Sequence, residues 1–361
     1  MTINWWRARK EELLTLTEKE CPLYVYNEET LNELFFDMLS IDSLEGLFYP
    51  IYLNHHPAIL RKAFEMDLGF LCASTNELKE LLNRLPKLNS QRILLLCNNA
   101  CDKDYGQAFQ YGAQLVVNDS RILKAYPAIS QDRGIFALLD SQTAQEAGPW
   151  PERSVKGFYV HQEPNWFTSD DVNENISLFT EASKRFPEAL ILTFGNATGV
   201  DPNHEKWNVD IQGVGNYLEA INSACPQFTL WLEVPAPMVS SMGLLLVKVT
   251  ETGEKEGRPY VGINMDMKAS ISNRLHEAGH QILNLSTLDE EKAVMTQIMG
   301  QNQGYGDAFA LTKLPSSIQL GDILLVTNMG ICEPCESFNG KGRNGVPEHY
   351  LHARRICQVR I

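Results

Sequence analysis

What most limits the fold of this chain is a rhythm. Short apolar runs fall at residues 48–53, 69–73, 93–97, 114–117, 134–139, 155–161, 189–194 and 229–233. Helical stretches such as 104–111, 170–186 and 209–225 lie between them. Parallel strands need a crossover of about a dozen residues or more, and a helix is its usual form. Repeated βα units therefore predict an α/β fold, a parallel (β/α)8 TIM barrel. After residue 244 the rhythm changes. Strand-like runs at 244–250, 260–263, 279–285, 307–311, 323–326 and 349–351 follow without long helices between them. That predicts a second, mostly antiparallel β domain. The expected division is a barrel over residues 22–243 and a β-rich domain from 1–21 plus 244–361. Ahead of the rhythm, residues 5–17 read as one amphipathic helix, 23–26 as a short β-prone run and 28–39 as a further helix.

Within the barrel, residues 48–60 form the stretch on which the functional reading turns. The apolar run stops at Asn54, and the Pro57-containing segment after it starts a helix. Chemistry in such barrels sits at the carboxyl ends of the strands, and the side chain expected there is Tyr52. Further along, Ser74 and Glu77 stand three apart ahead of an apolar run, the pattern of a capping box.

Charge narrows the partners. The 361 residues carry a net charge of -14. Nucleic acid and anionic membranes are recognised by clustered Lys and Arg, so neither is expected. No apolar run approaches the ~18 residues of a membrane-spanning helix. The amino terminus is charged and lacks the apolar core of a secretory signal, so a cytoplasmic protein is expected. Eight scattered Cys there read as reduced thiols, Cys97 and Cys101 among them.

No metal site is expected. Adjacent side chains diverge, so His55 and His56 read as surface turn residues. Cys332 and Cys335 followed by His349 and His352 resemble a zinc spacing. If residues 348–353 form a strand, however, the two His point to opposite faces.

At this point the residues resemble a known family, the fold-type III, pyridoxal-phosphate-dependent amino-acid decarboxylases, and within it diaminopimelate decarboxylase. The resemblance is nearest to the decarboxylase half of bifunctional aspartokinase/diaminopimelate decarboxylases. It is carried by Trp5-Trp6-Arg7-Ala8-Arg9, Pro22-Leu23-Tyr24-Val25-Tyr26, residues 48–60, Leu230-Trp231-Leu232-Glu233, Gly243-Leu244-Leu245-Leu246 and Leu320-Gly321-Asp322. It implies an alanine-racemase-like barrel with a β domain, pyridoxal phosphate as cofactor, and a homodimer whose sites are completed by the partner chain.

Position by position, the resemblance also shows losses. The family's Phe-Tyr-Ala-Val-Lys-Ala-Asn motif carries the Schiff-base Lys, and that position is Tyr52 here, with Asn54 kept. A phenol cannot form an imine, so no covalent cofactor is expected. His161 matches the His that stacks on the cofactor ring, but Glu163-Pro164 follow it. The glycine-rich phosphate loop reads Gly195-Asn196-Ala197-Thr198-Gly199, keeping Gly195 and Gly199. Glu233 matches the carboxylate that pairs with the pyridine nitrogen. Two family Arg positions fall on Ala236 and Ser272. The trans Cys-Glu-Ser-Gly-Asp motif falls on Gln303-Gly304-Tyr305-Gly306-Asp307, so the Cys position is Gln303 while Asp307 remains. The family's Gly-Ala-Tyr motif loses its Tyr at Cys332.

Asn54, His161, Gly195, Gly199, Glu233 and Asp307 are thus expected as a remnant pocket, with no catalytic residue assigned. Lys268 is the candidate to replace the lost amine. Three functions stay open. The first is a silent homologue that binds a small amino-acid-like ligand or a decarboxylase-like partner chain, itself included; the family's antizyme inhibitors, decarboxylase-like and inactive, are the precedent for such silence. The second is an enzyme with lysine-independent chemistry on an amino-acid-like substrate. The third is an active diaminopimelate decarboxylase of lysine biosynthesis.

Overall fold

The computed structural model describes residues 4–96, 102–117, 134–139, 155–161, 169–195, 209–265, 280–300, 308–331, 346–352 and 355–358. It divides into two compact units. One is built chiefly from the chain's ends, Met1–Glu33 and Val239–Ile361, and the other from Leu34–His204 and Asn208–Met238.

The first strand, β1 (Leu23–Asn27), belongs to the end-built unit. The next eight are β2 (Gly46–Pro50), β3 (Gly69–Cys72), β4 (Ile93–Leu96), β5 (Gln114–Val117), β6 (Ile135–Leu139), β7 (Val155–His161), β8 (Ile191–Gly195) and β9 (Thr229–Glu233). All pair in parallel with their neighbours, and β2 pairs with β9, closing the barrel. Each expected barrel strand is present. The first ends earlier than the sequence suggests. β2 stops at Pro50, and Ile51, Tyr52 and Leu53 form a turn held by the Leu53 N–H donating to the Pro50 carbonyl at 3.1 Å. Proline has no N–H to extend a ladder, which accounts for the early stop.

The barrel interior is packed with aromatic rings. Trp231 stacks between Phe48 and Phe136, with ring centres 4.8 and 5.6 Å away. These rings fit because neighbouring strands present glycine. A Cβ at Gly46 would come within 2.6 Å of Trp231, one at Gly69 within 2.4 Å of Phe48, and one at Gly157 within 2.7 Å of Phe136. A core this close-packed has no slack for an added methyl.

Local signals start the helices around it. In the helix Pro57–Glu65, Pro57 occupies the first turn, where a missing N–H costs nothing. Ile59, Leu60 and Ala63 form its buried stripe. In the helix Thr75–Arg84, Ser74 Oγ accepts from the Glu77 N–H at 3.2 Å. The Glu77 carboxylate reaches back to the Ala73 N–H at 2.7 Å. The expected capping box is present, its return arm landing one residue before the cap.

The other unit holds a nine-stranded sheet. Its strands are β1, β10 (Gly243–Lys255), β11 (Arg258–Ile263), β12 (Ile282–Asn284), β13 (Val294–Met299), β14 (Ala308–Leu314), β15 (Ile323–Val326), β16 (Glu348–His352) and β17 (Arg355–Gln358). Pairing is antiparallel except for β1 with β16 and β11 with β13. Sequence alone starts the barrel at residue 22, yet β1 lies in this sheet, with Leu23 opposite Leu246 and Val25 opposite Leu244. All five β1 residues are buried, with Leu23 and Val25 in a core with Trp5, Trp6, Leu283 and Leu325.

β10 and β11 turn at Glu256 and Gly257, both at positive φ, the conformation of a two-residue hairpin. The expected single helix over 5–17 is two, Trp5–Ala8 and Lys10–Lys19, broken at Arg9. Strands β13 and β17 were not foreseen. β13 alternates half-buried and buried residues over only part of its length, a weak period-2 signal.

Candidate active site

The carboxyl ends of β7, β8 and β9 and the turn after β2 converge on one carboxylate. Glu233 is the last residue of β9 and is 4 % exposed. Its strand is held against β2, with Glu233 in register with Phe48 and the Val234 N–H donating to the Phe48 carbonyl at 2.8 Å. Four residues beyond Phe48, the half-buried Tyr52 donates its hydroxyl to Glu233 Oε1 at 2.6 Å. From β7, the buried Tyr159 donates its hydroxyl to Glu233 Oε2, also at 2.6 Å. The carboxylate is thus bridged by two phenols, and both distances fall within the range of charge-assisted O–H···O hydrogen bonds.

Burial and charge act together here. Burial pushes the Tyr52 phenol far above its ordinary range, and the Glu233 charge, the hydrogen bond to it and the Glu77 charge push the same way. Burial, the Glu233 charge, Tyr52 and the hydrogen bond raise Tyr159 likewise. Both therefore stay protonated donors at neutral pH. Below them lie Phe48, Leu71, Leu94, Val116 and Phe136, the core against which Tyr52 and Tyr159 pack.

The flanking positions are equally specific. Gly195 ends β8 in register with His161, the exposed last residue of β7. A Cβ on Gly195 would lie 1.9 Å from the Tyr159 hydroxyl oxygen, so the phenol rests directly on this glycine. Asn54 is buried and shapes the turn. Its Oδ1 accepts the His56 N–H at 2.9 Å, and its carbonyl accepts the Tyr49 hydroxyl at 2.8 Å.

His56 corrects an expectation. It is buried rather than on the surface, and its Nδ1 caps the helix Pro57–Glu65 by accepting the Ala58 N–H at 3.3 Å. The Asx turn at Asn54 directs the ring inward, which the sequence pair His55-His56 does not reveal. Burial, with the charge of Arg84 and then His55 adding to it, lowers the His56 pKa to about 4.

Of the sequence-selected positions, the structure brings together Tyr52 and Glu233, 181 residues apart, and sets His161 beside Gly195 on neighbouring strands. Gly199, Gln303 and Asp307 lie outside the described residues, as do Lys268, Ser272, Cys97, Cys101, Cys332 and Cys335. Tyr159 was missed. Its signal was present, because it stands two residues before His161 on a strand and so shares its face.

His349 and His352 do not converge. His349 is buried and meets Glu20 at 3.2 Å, while His352 is exposed and meets Glu28. Among the described residues no group of three or more His, Cys, Asp or Glu could hold a metal ion, and no helix is long and apolar enough to cross a membrane.

Comparisons with known proteins agree on this frame. The chain is 23 % identical over 338 residues to the diaminopimelate decarboxylase of Deinococcus radiodurans, covering 86 % of this chain and 84 % of that one. Among solved structures it is similar to the agmatine-bound arginine decarboxylase of Paramecium bursaria Chlorella virus. There the TM-score is 0.78 at 16 % identity, covering 95 % of this chain and all of that one. It is also similar to the lysine decarboxylase of Selenomonas ruminantium, with a TM-score of 0.77 at 17 % identity over 91 % of this chain and 93 % of that one. The family described as pyridoxal-dependent decarboxylase, C-terminal sheet domain, matches residues 23–330. With its parallel closed barrel and its mostly antiparallel sheet, the chain belongs to the pyridoxal-dependent decarboxylases.

Proposed function

We propose that this chain is a decarboxylase-fold protein without decarboxylase chemistry, and that it acts by binding a small amino-acid-like ligand or a partner chain. The observation that carries this reading is the 2.6 Å hydrogen bond from Tyr52 to Glu233. By resemblance, Tyr52 stands where the family keeps its cofactor lysine, and Glu233 where the family keeps the carboxylate facing the cofactor ring. In the family the cofactor supplies the electron sink for loss of CO2. Here the two groups that would attach and tune it are bonded to each other. A phenol has no amine to condense with an aldehyde. These residues do not fit a covalently attached cofactor.

Lysine-independent catalysis is not favoured by the same geometry. General bases work best with a pKa near the operating pH. Tyr52 and Tyr159 are both displaced upward, away from it. The further departures at Ala236, Ser272 and Gln303, assigned by resemblance, point the same way.

The test uses the purified full chain. It is incubated with pyridoxal phosphate, reduced with borohydride, and mapped by peptide mass spectrometry, because exposed Lys side chains react weakly with the aldehyde. Diaminopimelate, arginine, lysine and ornithine are then assayed for CO2 release. The expected result is no stoichiometric reduced adduct at any single position and no CO2. A single stoichiometric adduct accompanied by CO2 release would overturn the proposal. A screen of amino acids and diamines by thermal shift then seeks the ligand, since binding to the folded state raises the melting temperature.

A further inference from the structure

The loss of a lysine removes covalent attachment. It leaves open a cofactor held by its phosphate and ring alone. The barrel mouth bears on that question through side chains already in place, and the inference drawn from them rests on the reading above.

Tyr159 Oη lies so near Gly195 that a Cβ there would be 1.9 Å from the oxygen and 2.0 Å from the ring carbon bearing it. By resemblance Gly195 opens the phosphate-binding loop, where a missing side chain lets a phosphate approach the backbone. In this chain the space over Gly195 is taken by a phenol. The same phenol donates to Glu233 Oε2, and Tyr52 donates to Oε1. Both oxygens of the carboxylate that, by resemblance, faces the pyridinium N–H already accept from a phenol whose ring stands beside them. Neither phenol has room below, because both pack on Phe48, Leu71, Leu94, Val116 and Phe136. On its other side Tyr159 meets strand β8 itself at Gly195.

We infer that the Tyr52–Glu233–Tyr159 bridge occupies the cofactor's own place as a built-in plug, that Gly195 is kept as the seat of Tyr159 rather than for phosphate, and that pyridoxal phosphate is excluded even without a covalent bond. The retained glycine and the retained carboxylate are then not idle remnants. Both have been taken over by a new pair of side chains.

Two measurements test this. In the first, the unmodified full chain is dialysed to equilibrium against pyridoxal phosphate and, separately, against pyridoxamine phosphate. The second compound has no aldehyde, so retention of it reports the pocket alone. The expected result is no saturable retention of either. Saturable one-to-one retention of pyridoxamine phosphate would overturn the plug while leaving the loss of covalent chemistry standing. A borohydride-fixed adduct at one site with CO2 release would instead overturn the earlier reading.

In the second, melting temperatures are compared for wild type, Gly195→Ala, Tyr159→Leu and the double variant. Gly195→Ala should lower the melting temperature markedly in the presence of Tyr159 and hardly at all once Leu stands there. An equal loss in both backgrounds would show that Gly195 serves something other than Tyr159, and would sink the inference. If Gly195→Ala alone fails to fold, recovery of a soluble, cooperatively melting double variant gives the same support, and failure of both gives the same refutation.

Discussion

Tyr159→Phe isolates one arm of the bridge. It keeps the ring that packs on Val116 and Phe136 and removes only the hydroxyl that donates to Glu233 Oε2. A hydrogen bond to a charged group contributes about 1.5–3 kcal/mol, and a buried carboxylate that loses a donor is costly to leave under-satisfied. The loss at pH 7 should therefore be about 2–3 kcal/mol. A second signature is the pH dependence. Burial and the Glu233 charge hold the Tyr159 phenol protonated well above the ordinary value of 10.0. In the unfolded chain the same phenol ionises near its ordinary value. Above about pH 10 the folded state therefore keeps a proton that the unfolded state has released. Its contribution is complete below that pH and falls as pH rises further, by about 1.4 kcal/mol per pH unit for each such phenol. Urea unfolding at pH 7, 9, 10 and 11 measures both effects. The variant should start less stable and lose stability less steeply above pH 10 than wild type, by one phenol's slope. A variant within about 0.5 kcal/mol of wild type at pH 7, with an unchanged alkaline slope, would refute the bridge as drawn.

Other outcomes follow from the same geometry. Tyr52→Lys alone should release no CO2 from diaminopimelate in the presence of pyridoxal phosphate, because Tyr159 still covers Gly195 and holds Glu233; turnover measured in that single variant would contradict the proposed function. His56 is buried with its pKa lowered to about 4. It stabilises the fold fully above the unfolded value of about 6.5 and loses that contribution as pH falls towards 4, a span of about 3 kcal/mol. His56→Asn, which preserves a capping acceptor, should flatten the acid limb of a urea stability profile between pH 4 and 6.5. Ser74→Ala removes the acceptor for the Glu77 N–H and should cost about 1 kcal/mol in the same assay.

What the sequence makes legible is whatever is local. Ser74 and Glu77 cap the same turn they occupy in sequence, and Pro57 can stand only where a helix begins. The eight barrel strands were legible because each is a buried parallel strand, and such strands are continuous apolar runs. β1 defeated the same reasoning. Its run of Leu23, Tyr24, Val25 and Tyr26 looks like any barrel strand, and its partners, Leu244 and Leu246, lie more than two hundred residues away.

The site divides along the same line. Its resemblance-borne members, Tyr52, Asn54, His161, Gly195 and Glu233, were found by motif. Their roles were not, because a role here is a distance. Asn54 proves to be a turn former, and His56 proves to be a buried cap. Tyr159 went unnoticed for want of any motif, though it decides what stands over Gly195.

By itself the sequence determined that a parallel barrel would be followed by a sheet, and that no amine would stand at Tyr52. Both follow from composition along the chain, from periodicity and from the chemistry of one side chain. Only the tertiary structure decided that the phenol at Tyr52 meets Glu233, that a second phenol meets it from β7, and that Gly195 lies beneath that second ring. Those contacts join the turn after β2 to β7, β8 and β9. Closing the barrel sets the register between those strands, and the register sets which side chains share the space at its mouth.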